Sequence, residues 1–172
     1  MPAGPKAAVE RLRPYVRGVM GKAEIPFEDQ SQGKALKLKL IGNTLVMNMI
    51  SILAESLTMA ERTGIDPKVV QQLVDGIFGG PYSDYAERMT SGTYWRREEP
   101  LFSADNARKD IAHARSVAAA AGVELRHAAV IDDHLRVVAE HAGGDKGDVG
   151  GMYGAVRKNA GLKFENDAGS SS

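Results

Sequence analysis

The sequence predicts an all-α protein, a helical bundle built around one long central helix. Apolar residues recur at helical spacing from residue 33 to Thr63 and point in nearly every direction around the axis. Such a pattern is typical of a central helix that other helices cover on several sides. Composition agrees with a globular domain, because 43% of the 172 residues are apolar and 26% are charged.

The first 30 residues predict one helix and one short strand. Apolar residues at helical spacing cover about residues 5–21, and Pro14 should kink or restart this helix because proline has no N–H for the preceding turn. The extended stretch 22–27 contains Pro26, which restricts it to an edge strand. These two elements have too little apolar surface for a sheet of their own, so we interpret them as the end of a domain that begins upstream.

The central helix is expected to run from Gln32 or Gly33 to Thr63, about 45 Å at 1.5 Å per residue. Gly64 is suited to end it in the left-handed conformation. Lysine, asparagine and glutamate interrupt its apolar run, so we do not interpret it as a membrane span. The chain has no cysteine and begins without the apolar core of a signal peptide, which predicts a cytoplasmic location.

Five further helices are predicted after residue 64 from their caps and helix-ending residues. They cover about residues 67–78, 82–89, 104–121, 125–141 and 148–159. Asp66, Ser103 and Asp148 are the expected N-caps, and Gly122 closes the third of these helices. The glycine-rich segment 143–147 is interpreted as a flexible connection.

Lys39 and Asn43 are the first candidates for a functional site. They lie four residues apart on the central helix, so their side chains emerge on the same face. A buried lysine needs an anionic partner, from the fold or from a ligand. The alternative is that Lys39 reaches solvent and Asn43 bonds the backbone. Lys37 offers an internal comparison, because its neighbour one turn later is the apolar Ile41.

Phe102, Lys109 and Asp110 form a second group of candidates around the helix that Ser103 caps. Adjacent lysine and aspartate side chains face two directions on a helix, so they can also be two solvated residues. A phenylalanine just before a helix cap is most often a core or lid residue. The residues alone leave both interpretations open.

No metal, nucleic-acid or membrane partner is predicted. His127, His134 and His141 recur every seven residues, about 10 Å apart along a helix, which is too far for one zinc ion. The formal net charge is zero and the aromatic residues are few, so neither feature favours nucleic-acid binding. No GxGxxG or Walker-type loop occurs, so nothing in the chain by itself looks able to hold a dinucleotide.

Taken in order, these motifs resemble the C-terminal half of the β-hydroxyacid dehydrogenases. This family includes 3-hydroxyisobutyrate dehydrogenase, tartronate semialdehyde reductase and 6-phosphogluconate dehydrogenase-like enzymes. The resemblance rests on Gly33-x-Ala35-x-x-x-Lys39-x-x-x-Asn43, on Ala60-Glu61-Arg62-Thr63-Gly64-Ile65-Asp66, and on Phe102 eight residues before Asp110. It covers about residues 33–159.

The resemblance implies an all-α domain that packs against an N-terminal Rossmann domain and mediates dimerisation. Residues 1–30 are then a helix–strand remnant of the end of the Rossmann domain, and residues 31–164 are the substrate-binding and dimerisation domain. Residues 165–172 are expected to be a disordered tail. Ala35 stands where the family commonly has the second glycine of its motif, which bears on the loop near the substrate.

The resemblance also implies a role for each candidate. The family's lysine at the position of Lys39 is the acid/base in hydride transfer at a hydroxyl or carbonyl carbon. The asparagine at the position of Asn43 orients it and binds substrate. The position of Phe102 lines the substrate pocket, Lys109 approaches the cofactor, and Asp110 supports the substrate-binding region.

We therefore expect part of an NAD(P)-dependent dehydrogenase that acts on the CH–OH group of a small β-hydroxyacid and forms a homodimer. The cofactor, NAD or NADP, would be bound mainly by the absent N-terminal domain. The chain alone is expected to bind nicotinamide cofactor weakly and to catalyse nothing measurable. The alternatives are a non-catalytic helical dimerisation module and a generic helical bundle. Lys39, Asn43 and Asp110 favour the enzyme, whereas the missing nucleotide-binding motif favours the module.

Overall fold

The computed structural model describes residues 1–167 and divides into two compact units, Met1–Asn43 and Thr44–Ser172. Within the described residues there are eight α-helices, one short 3₁₀ helix and one two-stranded sheet. The predicted all-α fold class with a short N-terminal helix–strand segment is confirmed.

The first unit contains a small parallel β-α-β arrangement. Strand β1 (Ala3–Gly4) pairs with β2 (Phe27–Glu28), and Ala3 lies opposite Phe27. Two parallel strands need a crossover connection, which helix α1 (Lys6–Val16) supplies. Val9 of α1 is buried. The segment thus forms a small sheet of its own, contrary to the expectation that its apolar surface is too small for one, and its second strand begins only at the last residue of the predicted stretch 22–27.

Pro14 affects α1 less than predicted. The helix continues through Pro14 and ends at Val16, without the restart that was expected to carry it to about residue 21. Pro14 lies in the last turn, and the helix ends two residues after it. Arg13 binds the carboxylates of Glu24 and Glu28 at 3.2 and 2.6 Å, which ties the end of α1 to the strand segment.

Helix α2 (Gly33–Thr63) has the predicted bounds. In the second unit, Met47, Ile50 and Leu57 place one of its faces in the core. The helix is covered over only part of its circumference, because a second face of large apolar side chains is exposed. By length and composition alone α2 could cross a membrane, but 44% of its most apolar window is buried, as in a core helix.

The rest of the second unit is a bundle of short helices joined by tight turns. They are α3 (Pro67–Ile77), α4 (Gly80–Thr90), α5 (Thr93–Arg96), α6 (Ala104–Ala120), α7 (His127–Ala142), a 3₁₀ turn (Val149–Gly151) and α8 (Met152–Asn159). The three predicted N-caps are confirmed: the side chains of Asp66, Ser103 and Asp148 each accept a backbone N–H at the start of a helix. Helices α6 and α8 pack against α7.

The glycine-rich segment before α8 is not the flexible connection that the sequence predicted. The carbonyl of Gly144 accepts the N–H of Asp105, and that of Gly147 accepts the N–H of Ala104 at 2.8 Å. A Cβ on Gly147 would lie 2.7 Å from a methyl group of Val138. These glycines serve close packing, because a larger residue would push the segment away from α6 and α7.

The last described residues are attached to the bundle. Asn166 donates its side-chain amide to the carbonyls of Met89 and Thr90, and its backbone N–H to the hydroxyl of Tyr94. Glu165 accepts from His141 at 2.8 Å. Of the tail predicted for residues 165–172, residues 168–172 lie outside the described range.

Candidate functional site

Lys39 and Asn43 lie one turn apart on α2, in the first unit. Asn43 is half-buried, but Lys39 is exposed. Of the two alternatives that the sequence left open, the structure shows the one in which Lys39 reaches solvent. The apolar pattern around the helix did not decide this, and two of those apolar neighbours, Leu36 and Ile41, are themselves 60% and 56% exposed.

Phe102, Lys109 and Asp110 belong to the second unit, on α6 and the residue before its cap. Phe102 is half-buried and packs against the core. Asp110 is only 7% exposed. Lys109 is exposed and donates from Nζ to the side-chain oxygen of Asn106 at 3.2 Å. Lys109 and Asp110 thus face different surroundings, as adjacent residues on a helix should.

Helix α6 is a rigid support for these side chains. Ala107 and Ile111 anchor it in the core. On its outer side, Arg108 makes a two-pronged contact with the carboxylate of Asp132 on α7, at 2.7 and 3.4 Å. This bond raises the pKa of Arg108, although the guanidinium is charged at any relevant pH. The contact fixes how α6 is rotated against α7.

Sequence reasoning missed a role for Asp148 beyond that of a helix cap. Its carboxylate is 2% exposed, and besides capping the 3₁₀ turn it accepts the backbone N–H of Leu101 at 2.8 Å. The residues involved lie 47 positions apart in sequence. No local pattern could have indicated this contact, because a cap is recognised from neighbouring residues alone.

In the part of the second unit that the structure describes, the linings of three cavities contain none of the five predicted site residues. A cavity of about 720 Å³ lies between the ends of α2, α3 and α4. One of about 270 Å³ lies beside Tyr94 and His141. A third, of about 290 Å³, is lined by Thr44, directly after Asn43, and by Ile111, directly after Asp110.

The histidines do not form a metal site. Among residues 1–167, no three histidine, cysteine, aspartate or glutamate side chains converge on a point that a metal could occupy. His134 is instead buried between α7 and α2, with Nδ1 3.3 Å from the hydroxyl of Ser51. Burial lowers the pKa of His134, and the nearby carboxylates of Glu55 and Asp133 oppose that shift.

Comparison with known proteins identifies the family. Residues 33–155 match the family described as the NAD-binding domain of NADP-dependent 3-hydroxyisobutyrate dehydrogenase. The chain belongs to the β-hydroxyacid dehydrogenase family. The match contains both groups of site residues, and the predicted use of NAD or NADP is confirmed for this family.

The relatives that the chain matches are longer than it is. It is 33% identical over 163 residues to the NADH-dependent oxidoreductase ucdB of Aspergillus ustus, covering 94% of this chain and 53% of the relative. The structure resembles that of 3-hydroxyisobutyrate dehydrogenase (ygbJ) from Salmonella typhimurium, with a TM-score of 0.73 at 24% identity over 88% of this chain and 51% of the other. The 3-hydroxyisobutyrate dehydrogenase of Mycobacterium tuberculosis, determined with L-serine, gives 0.70 at 18% identity over 90% and 53%. The chain spans about half the length of these relatives.

The described residues fit a nicotinamide cofactor at one point. Lys109 has an exposed ammonium group on α6, which donates a hydrogen bond to the side chain of Asn106 one turn earlier on the same helix. A dinucleotide is anionic at its pyrophosphate, and an exposed lysine is a suitable partner for such a group. The surroundings of Lys109 are therefore compatible with the predicted contact to the cofactor.

Proposed function

We propose that this chain is the substrate-binding half of an NAD(P)-dependent dehydrogenase that acts on the CH–OH group of a small β-hydroxyacid. The observation that carries the proposal is the family match over residues 33–155, which contains all five candidate residues. An oxidoreductase among the relatives, and two structural neighbours named as dehydrogenases of a hydroxyacid, support the same class of reaction.

In this proposal Lys39 is the acid/base. When a hydroxyacid is oxidised, the hydroxyl proton must leave as the carbon loses a hydride, and an amine within hydrogen-bond reach can take that proton. The nicotinamide ring, when bound, accepts the hydride. In the reverse direction, the Lys39 ammonium returns the proton to the carbonyl oxygen.

Asn43 would orient the reacting group. Its carboxamide has both donors and an acceptor, so it can bond a substrate hydroxyl and the lysine at once. It shares a helix face with Lys39, and it is half-buried, which limits its rotamers. Phe102 and Asp110 are assigned to the substrate and Lys109 to the cofactor.

Dimerisation is the second part of the proposal. In the second unit, α2 exposes Leu45, Ile52 and Met59, and α3 exposes Val69, Leu73 and Ile77, each by more than half of its surface. Large apolar side chains exposed in this number are typical of an interaction surface, and we assign a second copy of the chain to that surface.

Replacement of Lys39 tests the chemistry. The assay joins the chain to the nucleotide-binding half of the Aspergillus ustus relative and follows NADH or NADPH with a panel of small β-hydroxyacids. Lys39→Ala should lower kcat by about 10²–10⁴-fold, the contribution of a general acid/base. Lys37→Ala is the matched control, since Lys37 is also an exposed lysine on the same helix. Equal turnover in both variants would remove Lys39 from the mechanism.

The second candidate function is a non-catalytic dimerisation module. The exposed apolar residues of α2 and α3 favour it, as does the absence of a GxGxxG motif from the sequence. A calorimetric titration of the chain alone with NADH and NADPH addresses this alternative. We expect the chain alone to bind either cofactor weakly. Tight binding would contradict that expectation and also the interpretation as a non-catalytic module.

A further inference from the structure

We propose that Asp148 is a positioning residue for the substrate pocket: it fixes the Leu101–Phe102 peptide, and so the direction of the Phe102 side chain, ahead of α6. The inference rests on the proposed function, which assigns Phe102 to the substrate. It adds a residue that lies 46 positions from Phe102 and has no place in the family motif considered above.

The Asp148 carboxylate binds donors from three parts of the chain. One oxygen accepts from Arg88 of α4 at 3.0 Å and from the N–H of Gly150 at 2.8 Å. The other accepts the N–H of Leu101 at 2.8 Å, with the N–H of Phe102 at 3.5 Å. Because two oxygens serve four donors, the carboxylate sets the distance between α4, the 3₁₀ turn and the segment before α6.

Backbone bonds next to Asp148 hold the same segment from the other side. Val149 donates its N–H to the carbonyl of Phe102 at 3.0 Å, so the Phe102 peptide is bound through both its N–H and its C=O. The carbonyl of Gly147 accepts from Ala104 at 2.8 Å. The start of α6 is thus paired with residues 147–149 much as strands pair, and Asp148 is the centre of that pairing.

Burial makes the charge of Asp148 necessary. Its side chain is 2% exposed and that of Arg88 is 13% exposed, so water cannot replace the carboxylate as an acceptor. Asparagine has nearly the same shape, but its NH₂ group would face one of these N–H donors and leave it unpaired. An Asp148→Asn variant therefore loosens the Leu101–Phe102 peptide without creating a cavity.

A displaced Phe102 should change substrate binding more than chemistry. Phe102 has no proton to transfer, and the proposed acid/base lies on another helix. Contacts that hold the substrate equally in the ground and transition states affect KM and leave kcat nearly unchanged. A KM effect with constant kcat therefore separates a positioning role from a general loss of structure.

The first arm of the experiment measures amide hydrogen exchange by NMR in the chain itself. In Asp148→Asn, exchange at Leu101 and Phe102 should rise about 10- to 100-fold, as expected for loss of a hydrogen bond to a charged acceptor. Exchange at the core residue Leu135 should stay within about 2-fold. Glu140→Gln is the matched control, because it removes the carboxylate of an exposed Arg–Glu pair within α7 without touching α6 or the segment before it.

The second arm measures steady-state kinetics in the fusion described above. Asp148→Asn should raise KM for the hydroxyacid about 10-fold with kcat within about 2-fold, and Glu140→Gln should change neither. Unchanged exchange at Phe102, or an equal rise at Leu135, would overturn the proposal, and so would a fall in kcat at constant KM. An inactive parent fusion would instead refute the proposed function, while the exchange arm still decides whether Asp148 holds Phe102.

Discussion

Replacement of Gly154 by alanine tests how α8 packs, because the structure gives this change a definite cost. Gly154 lies in the first turn of α8, and an added Cβ would lie 2.7 Å from three atoms of the Phe164 ring. Carbon atoms in contact are about 3.5–4.0 Å apart, so the ring would have to move by about 1 Å. Phe164 is 4% exposed, and its ring stacks on that of His141 with the ring centroids 3.9 Å apart, so a shift of Phe164 also disturbs this contact.

Two opposing terms give the magnitude. Overpacking a well-filled core costs about 1–3 kcal/mol, whereas alanine in place of glycine in a helix contributes up to about 1 kcal/mol. The net loss is about 1–2 kcal/mol, or about 2–8 °C in Tm for a chain of this size. Gly76→Ala in α3 is the matched control, because its Cβ would meet nothing within 4 Å. That variant should gain up to about 1 kcal/mol.

Thermal unfolding of the parent and both variants, followed by circular dichroism at two protein concentrations, decides the question. The second concentration separates changes in self-association from changes in folding. If Gly154→Ala melts at or above the parent, Phe164 does not pack on α8 as described. Phe164→Leu should recover part of the loss in the Gly154→Ala background, because the smaller side chain makes room for the added methyl group.

Three further predictions concern charge, pH and assembly. Glu61→Gln removes the carboxylate that Arg157 binds, and the Arg157 side chain is only 6% exposed. The free energy of unfolding in urea should therefore fall by about 3 kcal/mol, and an unchanged value would contradict a buried pair. The pKa of His134 is lowered by burial, so its neutral form contributes stability that is present above about pH 6.5 and is lost as the pH falls toward the lowered value. The urea midpoints at pH 7.5 and pH 5.5 should therefore differ less in His134→Asn than in the parent. An equal difference in the two proteins would refute this. Leu73→Glu should raise the dissociation constant of a homodimer at least about 10-fold in sedimentation equilibrium. Val130→Glu, at an exposed position of α7, should leave it unchanged, and a monomeric parent would contradict the assembly proposal.

Local signals explain what the sequence predicted well. Helix α2 ends at Thr63 because Gly64 follows it with a φ of 78°, and Asp66 and Pro67 start the next helix within three residues. Such signals act over one turn, so neighbouring residues suffice to recognise them. The helix predicted over residues 82–89 begins earlier, at Gly80, with Pro81 in its first turn, where proline is favoured.

Contacts over long sequence separations explain what it did not predict. The spacing of Lys39 and Asn43 placed them correctly on one helix face, but the apolar residues around them could not show which face is covered. The pairing of Asp148 with Leu101 likewise joins segments 47 residues apart. Periodicity reports the character of a face, whereas burial depends on which other segments reach it.

Two buried ion pairs fix the C-terminal segment of the bundle from opposite directions. Arg88 of α4 binds Asp148 before α8, and Glu61 of α2 binds Arg157 within α8, whose guanidinium also donates to the carbonyls of Lys163 and Glu165. Buried pairs of this kind contribute little net stability, because desolvation offsets their attraction. Their effect is to select one register of α8 against α2 and α4, since any shift would leave a buried charge unpaired. The same register places Asp148 opposite the Leu101–Phe102 peptide, so the pair formed by Glu61 and Arg157 supports, at a distance, the segment assigned to the substrate.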